Sequence, residues 1–164
     1  MGTAGPAEYL NGLPGNAARA ALTRCCSSRR WVDAMLAARP FASDAALFDA
    51  AERAWWAVGK DDWLEAFGGH PRIGERGSDP VTRREQADVN GTGEETRAAL
   101  AQGNREYEAR FGHVFLICAT GKSATDMLGA LRARFDNDPA TELRIAAGEQ
   151  AKITRLRLEK LAAS

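Results

Sequence analysis

The chain has 164 residues, of which 45% are hydrophobic, and its 22 basic residues balance its 22 acidic residues. This length and apolar content suit one packed domain and argue against intrinsic disorder. Because both signs of charge are interspersed, we do not expect nucleic acid or an anionic membrane surface as the main partner, and no apolar run is long enough to span a bilayer.

The first half of the chain carries clear helix signals. Segments near Ala17–Cys26 and Arg29–Ala38 are predicted helices, separated by polar or proline-containing breaks. Ser43 is the predicted N-cap of a helix with an apolar face. Asp61 opens a shorter predicted helix, which Gly68-Gly69 closes.

The second half continues the helical pattern. Four further helix starts each carry a capping residue: Asp79-Pro80, Thr92 with Glu95, Ser123 and Asp138-Pro139. The helix that starts at Thr92 is predicted to end at Phe111-Gly112, and the last helix to run nearly to the end of the sequence.

The stretch VFLIC, residues 114–118, has the composition of a strand. A single strand has nothing to pair with, so its backbone groups must be satisfied in another way. We therefore predict a buried, extended connection inside an all-α single domain that covers residues 1–164. Free amides in such a connection could hold a ligand, and simple core packing is the alternative.

The cysteines and the first residues indicate the compartment. Cys25, Cys26 and Cys118 are odd in number and two are adjacent, so we expect packed thiols in a reducing cytoplasm rather than disulfides. The sequence lacks the CxxC and HxxxH spacings of metal ligands, so no metal site is expected. The stretch MGTAGPAEYL has neither the basic nor the apolar region of a secretory signal.

The stretch GGHPRIGER, residues 68–76, places one of the two histidines of the chain against a proline. Pro71 restricts its own φ and favours extended backbone at His70, while the flanking glycines allow sharp turns. The pattern indicates either a tight connection between helices, in which the histidine has no special role, or an imidazole held in a fixed direction.

Two polar residues lie on apolar helix faces, where burial costs free energy unless they find partners. Asn104 falls between Leu100 and Tyr107, and we expect it to hydrogen-bond a neighbouring loop such as VFLIC, with ligand contact as the alternative. Arg157 falls on the apolar side of the last helix beside Gln150, and its permanent charge requires an anion. A glutamate of the chain and a substrate carboxylate are both open as that partner.

Thr82, Glu85 and Gln86 share one face of the short helix predicted after Asp79-Pro80, at spacings i, i+3 and i+4. A solvated charged face is the ordinary explanation of such a pattern, and a binding face is the alternative. Spacing alone does not decide between them.

Several motifs in order resemble one known family. They are HPRIG, REQ, NREYEARFGHVFLICATGKS, RFDNDPATELRIAAGEQ and KITRLRL, together with WVDAMLAARPF near the start. The set is similar to the 2-oxo-4-hydroxy-4-carboxy-5-ureidoimidazoline (OHCU) decarboxylases, which are all-helical enzymes of ureide production from urate. The resemblance covers most of the chain and implies a domain of about eight to nine helices.

The resemblance also implies a role for particular residues. His70 matches the catalytic histidine of the family and Pro71 the proline that sets it, while Glu85 matches the glutamate that works with the histidine. The remaining matches are substrate-binding positions: Thr82 (where a serine is expected), Gln86, the backbone of Phe115, Leu116, Ile117, Cys118 and Ala119, and Arg157. Gly103 and His113 also depart from the family pattern, since apolar or aromatic residues are usual there.

The activity that the resemblance implies is decarboxylation of OHCU to (S)-allantoin without a metal or other cofactor, in a homodimer. Two rivals stay open at this point. One is a non-catalytic helical module that binds a ureide or purine, which would not need both His70 and Glu85. The other is a related lyase or hydrolase that acts on another ureide.

Overall fold

The computed structural model describes residues 4–73 and 93–161, and these residues form eight α-helices and no β-strand. The helices are α1 Pro6–Asn11, α2 Gly15–Cys25, α3 Arg29–Ala38, α4 Asp44–Ala57, α5 Lys60–Phe67, α6 Glu94–Phe111, α7 Ala124–Phe135 and α8 Pro139–Lys160. The all-α prediction is therefore confirmed. The helix predicted over residues 81–89 lies outside the described residues.

The chain divides into two compact units, one comprising Met1–Gly69 with Gln150–Ser164 and the other His70–Glu149. In the first unit, α3 packs against α2, α4 and α5, and α1 packs against α2 and α4. Trp31 on α3 is fully buried there, and its Nε1 donates a hydrogen bond to the Ala51 carbonyl of α4 at 3.1 Å.

In the second unit, α6 packs against α7. One hydrophobic cluster fills this unit and includes residues from the start of the unit, from α6, from the segment after α6 and from α7: Ile73, Leu100, Tyr107, Phe115, Ile117, Ala119, Ala124, Met127 and Leu131. A Cβ on Gly103 would lie 3.2 Å from a Leu131 methyl. The glycine that departs from the family pattern thus permits a close approach of α6 and α7.

Local capping signals gave most helix starts correctly. Ser43 accepts a hydrogen bond from the Ala46 amide at 3.0 Å, Ser123 accepts from the Asp126 amide at 3.0 Å, and Asp138 accepts from the Thr141 amide at 3.1 Å. The Ser123 amide in turn donates to the Asp126 carboxylate, which completes a capping box.

One predicted helix start was wrong by a residue. α5 begins at Lys60 rather than Asp61, because the Asp62 carboxylate accepts from the Gly59 amide at 3.1 Å and so caps an earlier turn. The N-cap of α6 is Gly93, which makes no side-chain cap, and Glu94 and Glu95 place negative charge in the first turn. The predicted capping residue Thr92 lies outside the described residues. The predicted end of α6 is confirmed at Gly112, which adopts a left-handed φ of 79°.

The prediction of a buried connection over residues 114–118 is confirmed for residues 115–118, whereas Val114 is half-buried. Phe115–Ala119 belong to neither helix nor strand and are all buried; we call this segment the buried connection. The three cysteines are also buried and are thiols rather than disulfides, as predicted.

Candidate functional site

The backbone before His70 is fixed by a close approach. The Gly69 amide donates to the Ala66 carbonyl at 3.1 Å, and a Cβ on Gly69 would overlap the Ser27 hydroxyl and lie 3.2 Å from the Ser27 Cβ. That hydroxyl itself donates to the Ala66 carbonyl at 3.4 Å. No side chain fits at position 69 without moving Ser27, so the second glycine of GGHPRIGER has a steric cause.

The segment after His70 is held by two side chains of α6 and by burial of its last residue. Within the segment His70–Ile73, which we call the His70 loop, the Ile73 side chain is buried in the hydrophobic cluster. Asn104 Nδ2 donates to the Ile73 carbonyl at 2.9 Å. The Arg72 guanidinium makes two hydrogen bonds, of 2.7 and 3.1 Å, to the Glu108 carboxylate. The imidazole of His70 is half-buried and lies next to the anchored residues in the chain.

The prediction that Asn104 hydrogen-bonds a neighbouring loop is confirmed. Asn104 is 2% exposed and binds a loop, but the loop is His70–Ile73 rather than the buried connection. Periodicity identified the buried face of α6 correctly. It contains no information on which loop crosses that face, so the partner was not predictable.

The buried connection is held by charged side chains. Arg134 Nη1 on α7 donates to the Leu116 carbonyl at 2.9 Å, and the Cys118 amide donates to Glu149 Oε1 on α8 at 3.0 Å. The Cys118 carbonyl accepts from Lys122 Nζ at 3.0 Å. The Cys118 amide, one of the groups expected to be open to a ligand, therefore already has an acceptor in the protein.

The His70 loop and the buried connection share one core. Ile73 from the loop and Phe115, Ile117 and Ala119 from the connection all belong to the hydrophobic cluster of the second unit. The structure thus brings together two of the segments that the sequence motifs single out.

A buried ionic network, centred on Glu142 and Arg134, packs against the buried connection. Glu142 on α8 is fully buried and accepts hydrogen bonds from the Tyr107 hydroxyl at 2.5 Å, Arg134 Nε at 2.7 Å and Asn137 Nδ2 at 3.1 Å. Arg134 also lies over the Phe115 ring, 4.6 Å from its centroid. Burial, and then the Glu142 carboxylate, raise the pKa of Tyr107 far above its ordinary value, so its hydroxyl acts as a stable donor.

Sequence reasoning missed these supporting residues. Glu142 and Glu149 are seven positions apart on α8 with buried Ala146 between them, so they follow the apolar stripe of that helix. A charged residue on the apolar face of a helix is the signal that singled out Arg157. Glu142 and Glu149 carry the same signal.

Arg157, on the part of α8 that belongs to the first unit, is half-buried. Its Nη1 lies 3.4 Å from the Arg24 carbonyl, a long hydrogen bond. Burial raises the pKa of the nearby Cys26 thiol from 9.0 to about 11, and the charge of Arg157 is one of the smaller effects that lower it. Whether Arg157 binds a substrate carboxylate stays a prediction.

Three predicted site residues, Thr82, Glu85 and Gln86, lie outside the described residues. Within residues 4–73 and 93–161, no group of His, Cys, Asp and Glu side chains is arranged to hold a metal ion. None of the helices in these ranges is long and apolar enough to cross a membrane.

The fold is similar to that of a solved enzyme. The crystal structure of an OHCU decarboxylase in the presence of (S)-allantoin matches with a TM-score of 0.78 at 39% identity, covering 87% of this chain and 96% of that one. The helical arrangement described above is therefore the OHCU decarboxylase fold.

Sequence comparison leads to the same family. A model of the OHCU decarboxylase family matches residues 11–159. The uric acid degradation bifunctional protein TTL of Arabidopsis thaliana is 39% identical over 84% of this chain and 45% of that protein. The 2-oxo-4-hydroxy-4-carboxy-5-ureidoimidazoline decarboxylase of Amia calva is 40% identical over 35% of this chain and 33% of that protein. The chain spans less than half the length of these curated relatives, and it belongs to the OHCU decarboxylase family.

Proposed function

We propose that this chain decarboxylates OHCU to (S)-allantoin in urate degradation. The observation that supports the proposal is the arrangement around His70. Its half-buried imidazole lies between a glycine that closely approaches Ser27 and a segment that two side chains of α6 bind and whose last residue is buried in the core. A surface connection between helices needs no such restraint. An acid that must deliver a proton to one face of a small molecule does.

The chemistry of the substrate explains why so few groups are needed. OHCU carries its carboxylate on a ring carbon next to the carbon of a C=N bond. When carbon dioxide leaves, the electron pair of the broken C–C bond moves towards that C=N, which takes up the charge. Protonation of the former imine carbon, and transfer of the hydroxyl proton to the charged ring nitrogen, then give neutral allantoin. The electron sink belongs to the substrate, so we propose a reaction without metal or organic cofactor.

The protein would supply placement, charge and one stereospecific proton. An imidazole titrates near neutral pH, and we assign the proton donation to His70, held by Pro71. Backbone groups of the buried connection, Phe115–Ala119, would line the substrate pocket, and Arg157 would bind the anionic substrate.

The family motif adds three residues to this assignment. Glu85 would orient the imidazole or bind the ureido N–H groups, and Gln86 and Thr82 would contact the substrate. We also propose a single domain over residues 1–164, a homodimer and a cytoplasmic location, the last supported by three buried cysteines that are not in disulfides.

A coupled assay tests the proposal directly. Urate, uricase and hydroxyisourate hydrolase generate OHCU, and circular dichroism follows its conversion to allantoin with and without this protein. We expect faster decay and an excess of (S)-allantoin, both retained after exhaustive EDTA treatment. Saturable binding of a ureide without faster decay would support the binding-module rival. Activity that EDTA abolishes and Zn²⁺ or Mn²⁺ restores would overturn the cofactor-free mechanism.

A further inference from the structure

Asn104 contributes little net free energy to the folded state. It lies on α6 next to fully buried Leu100 and Tyr107, and is itself 2% exposed. Its Nδ2 donates to the Ile73 carbonyl, but its Oδ1 is buried and has no hydrogen-bond partner among the described residues. A buried acceptor without a partner costs on the order of 1–3 kcal/mol, which offsets much of what the single hydrogen bond contributes.

The orientation of the Asn104 amide is set by its neighbour. Only an N–H donor can face the Ile73 carbonyl at 2.9 Å, because a reversed amide would bring two acceptor oxygens together. The hydrogen bond therefore fixes the direction of the Ile73 carbonyl. Burial of the Ile73 side chain fixes where the residue lies, but hydrophobic contact is non-directional and leaves the peptide plane able to rotate.

The other attachment of the His70 loop is weaker. The Arg72 and Glu108 side chains are 48% and 22% exposed, so water screens their ion pair, which contributes on the order of 0–1 kcal/mol. Asn104 and Glu108 are one helical turn apart on α6 and hold consecutive residues of the loop. Of the two, only Asn104 makes a buried, directional contact with the loop backbone.

We propose that Asn104 is a positioning residue for His70. It holds the Ile73 carbonyl and, through the short segment that Pro71 stiffens, keeps the imidazole in its reactive direction. This inference rests on the proposed function of His70. It predicts that loss of the Asn104 donor misplaces the imidazole without unfolding the protein.

The test compares Asn104→Leu with a matched control, Trp31→Phe. Each change removes one buried side-chain N–H bond to a backbone carbonyl, of 2.9 Å in one case and 3.1 Å in the other. Trp31 lies on α3 in the first unit and has no part in the proposed mechanism. We expect Asn104→Leu to lower kcat by ~10- to 100-fold with little change in KM, and Trp31→Phe to leave both unchanged. Asn104→Ala serves in the same way if the leucine variant does not fold.

A second readout does not depend on activity. The chain has only two histidines, so His70→Ala assigns their ring proton signals in the NMR spectrum. Asn104→Leu should shift or multiply the His70 signal, as Trp31→Phe should not. If the wild-type protein is inactive, the proposed function fails while this measurement still tests the positioning role. An unchanged His70 signal, or a loss of kcat that Trp31→Phe reproduces, would overturn the inference.

Discussion

The two glycines before His70 have different surroundings. A Cβ on Gly68 would meet only backbone carbonyl oxygens at 3.6 Å, which is ordinary contact. On Gly69 it would overlap the Ser27 hydroxyl and lie 3.2 Å from the Ser27 Cβ. Gly68 has a φ of −64°, which any residue adopts. A methyl group at Gly69 therefore requires Ser27 to move, whereas one at Gly68 has room.

This difference predicts opposite effects of two adjacent substitutions. Gly69→Ala should lower the free energy of unfolding by ~1–3 kcal/mol through overpacking, and should lower kcat/KM by displacing the neighbouring His70. Gly68→Ala should be neutral or stabilise by up to about 1 kcal/mol, because it restricts the unfolded chain. Urea unfolding and the coupled assay measure both quantities. Equal effects of the two variants would contradict the steric explanation.

Helix ends show which elements a sequence can specify by itself. Ser43, Ser123 and Asp138 each accept a hydrogen bond from the amide three residues further along the chain. Because these capping contacts are local, the three helix starts were predicted correctly. The six-residue α1 was missed because its N-cap Gly5 makes no side-chain cap. Its Ala7 amide instead donates at 3.0 Å to Asp44, far along the chain. Short helices of this kind depend on tertiary contacts.

The candidate site also has features that the sequence predicts and contacts that it does not. The stiff His70 loop, the buried connection and the inward face of Asn104 were predictable from composition and periodicity. The contacts Asn104–Ile73 and Glu149–Cys118 were not, since each joins residues some thirty positions apart. A periodic pattern identifies a buried face, whereas the partner on that face depends on how the elements pack.

The ionic network joins three elements, and Glu142 is its centre. Glu142→Gln removes the negative charge that pairs with Arg134, whose side chain is only 11% exposed. The glutamine oxygen can still accept the hydrogen bond from the Tyr107 hydroxyl on α6. Because an uncompensated buried cation is costly, we expect a loss of ~3–5 kcal/mol in the free energy of unfolding.

The control for this variant is Glu159→Gln on the same helix. Glu159 pairs with Arg155 through side chains that are 43% and 58% exposed, so we expect its loss to cost at most about 1 kcal/mol. Chemical unfolding of both variants measures the difference. A similar small cost for both would show that the Glu142 network does not hold α6, α7 and α8 together.

For the molecule as a whole, the buried thiol of Cys26 makes the free energy of unfolding depend on pH in the alkaline range. Burial raises its pKa from 9.0 to about 11. The folded protein therefore keeps a proton that the unfolded chain loses, so this stability is fully present below pH 9 and is lost as the pH rises towards 11. Linkage gives a loss of roughly 2–3 kcal/mol over that window.

Other groups also titrate there, so the comparison must be with Cys26→Ala. Tyr107, whose pKa is also raised from its ordinary value of 10.0, contributes the same slope to both proteins. The variant should start less stable at pH 8, and its stability should fall less steeply between pH 9 and 11. Parallel curves for the two proteins would contradict the raised pKa of Cys26.

The proton-donor role of His70 is tested most directly with the variants His70→Ala and His70→Gln. Their rates of OHCU decay are measured in the coupled assay, and their thermal unfolding is measured on the same samples. A proton donor typically contributes 10²–10⁴-fold, so turnover should fall by at least ~10²-fold and the excess of (S)-allantoin should disappear. The melting temperature should stay close to that of the wild-type protein, because the half-buried imidazole contributes little packing. Folded variants that decarboxylate OHCU at the wild-type rate, with the same stereochemistry, would show that His70 is not the proton donor.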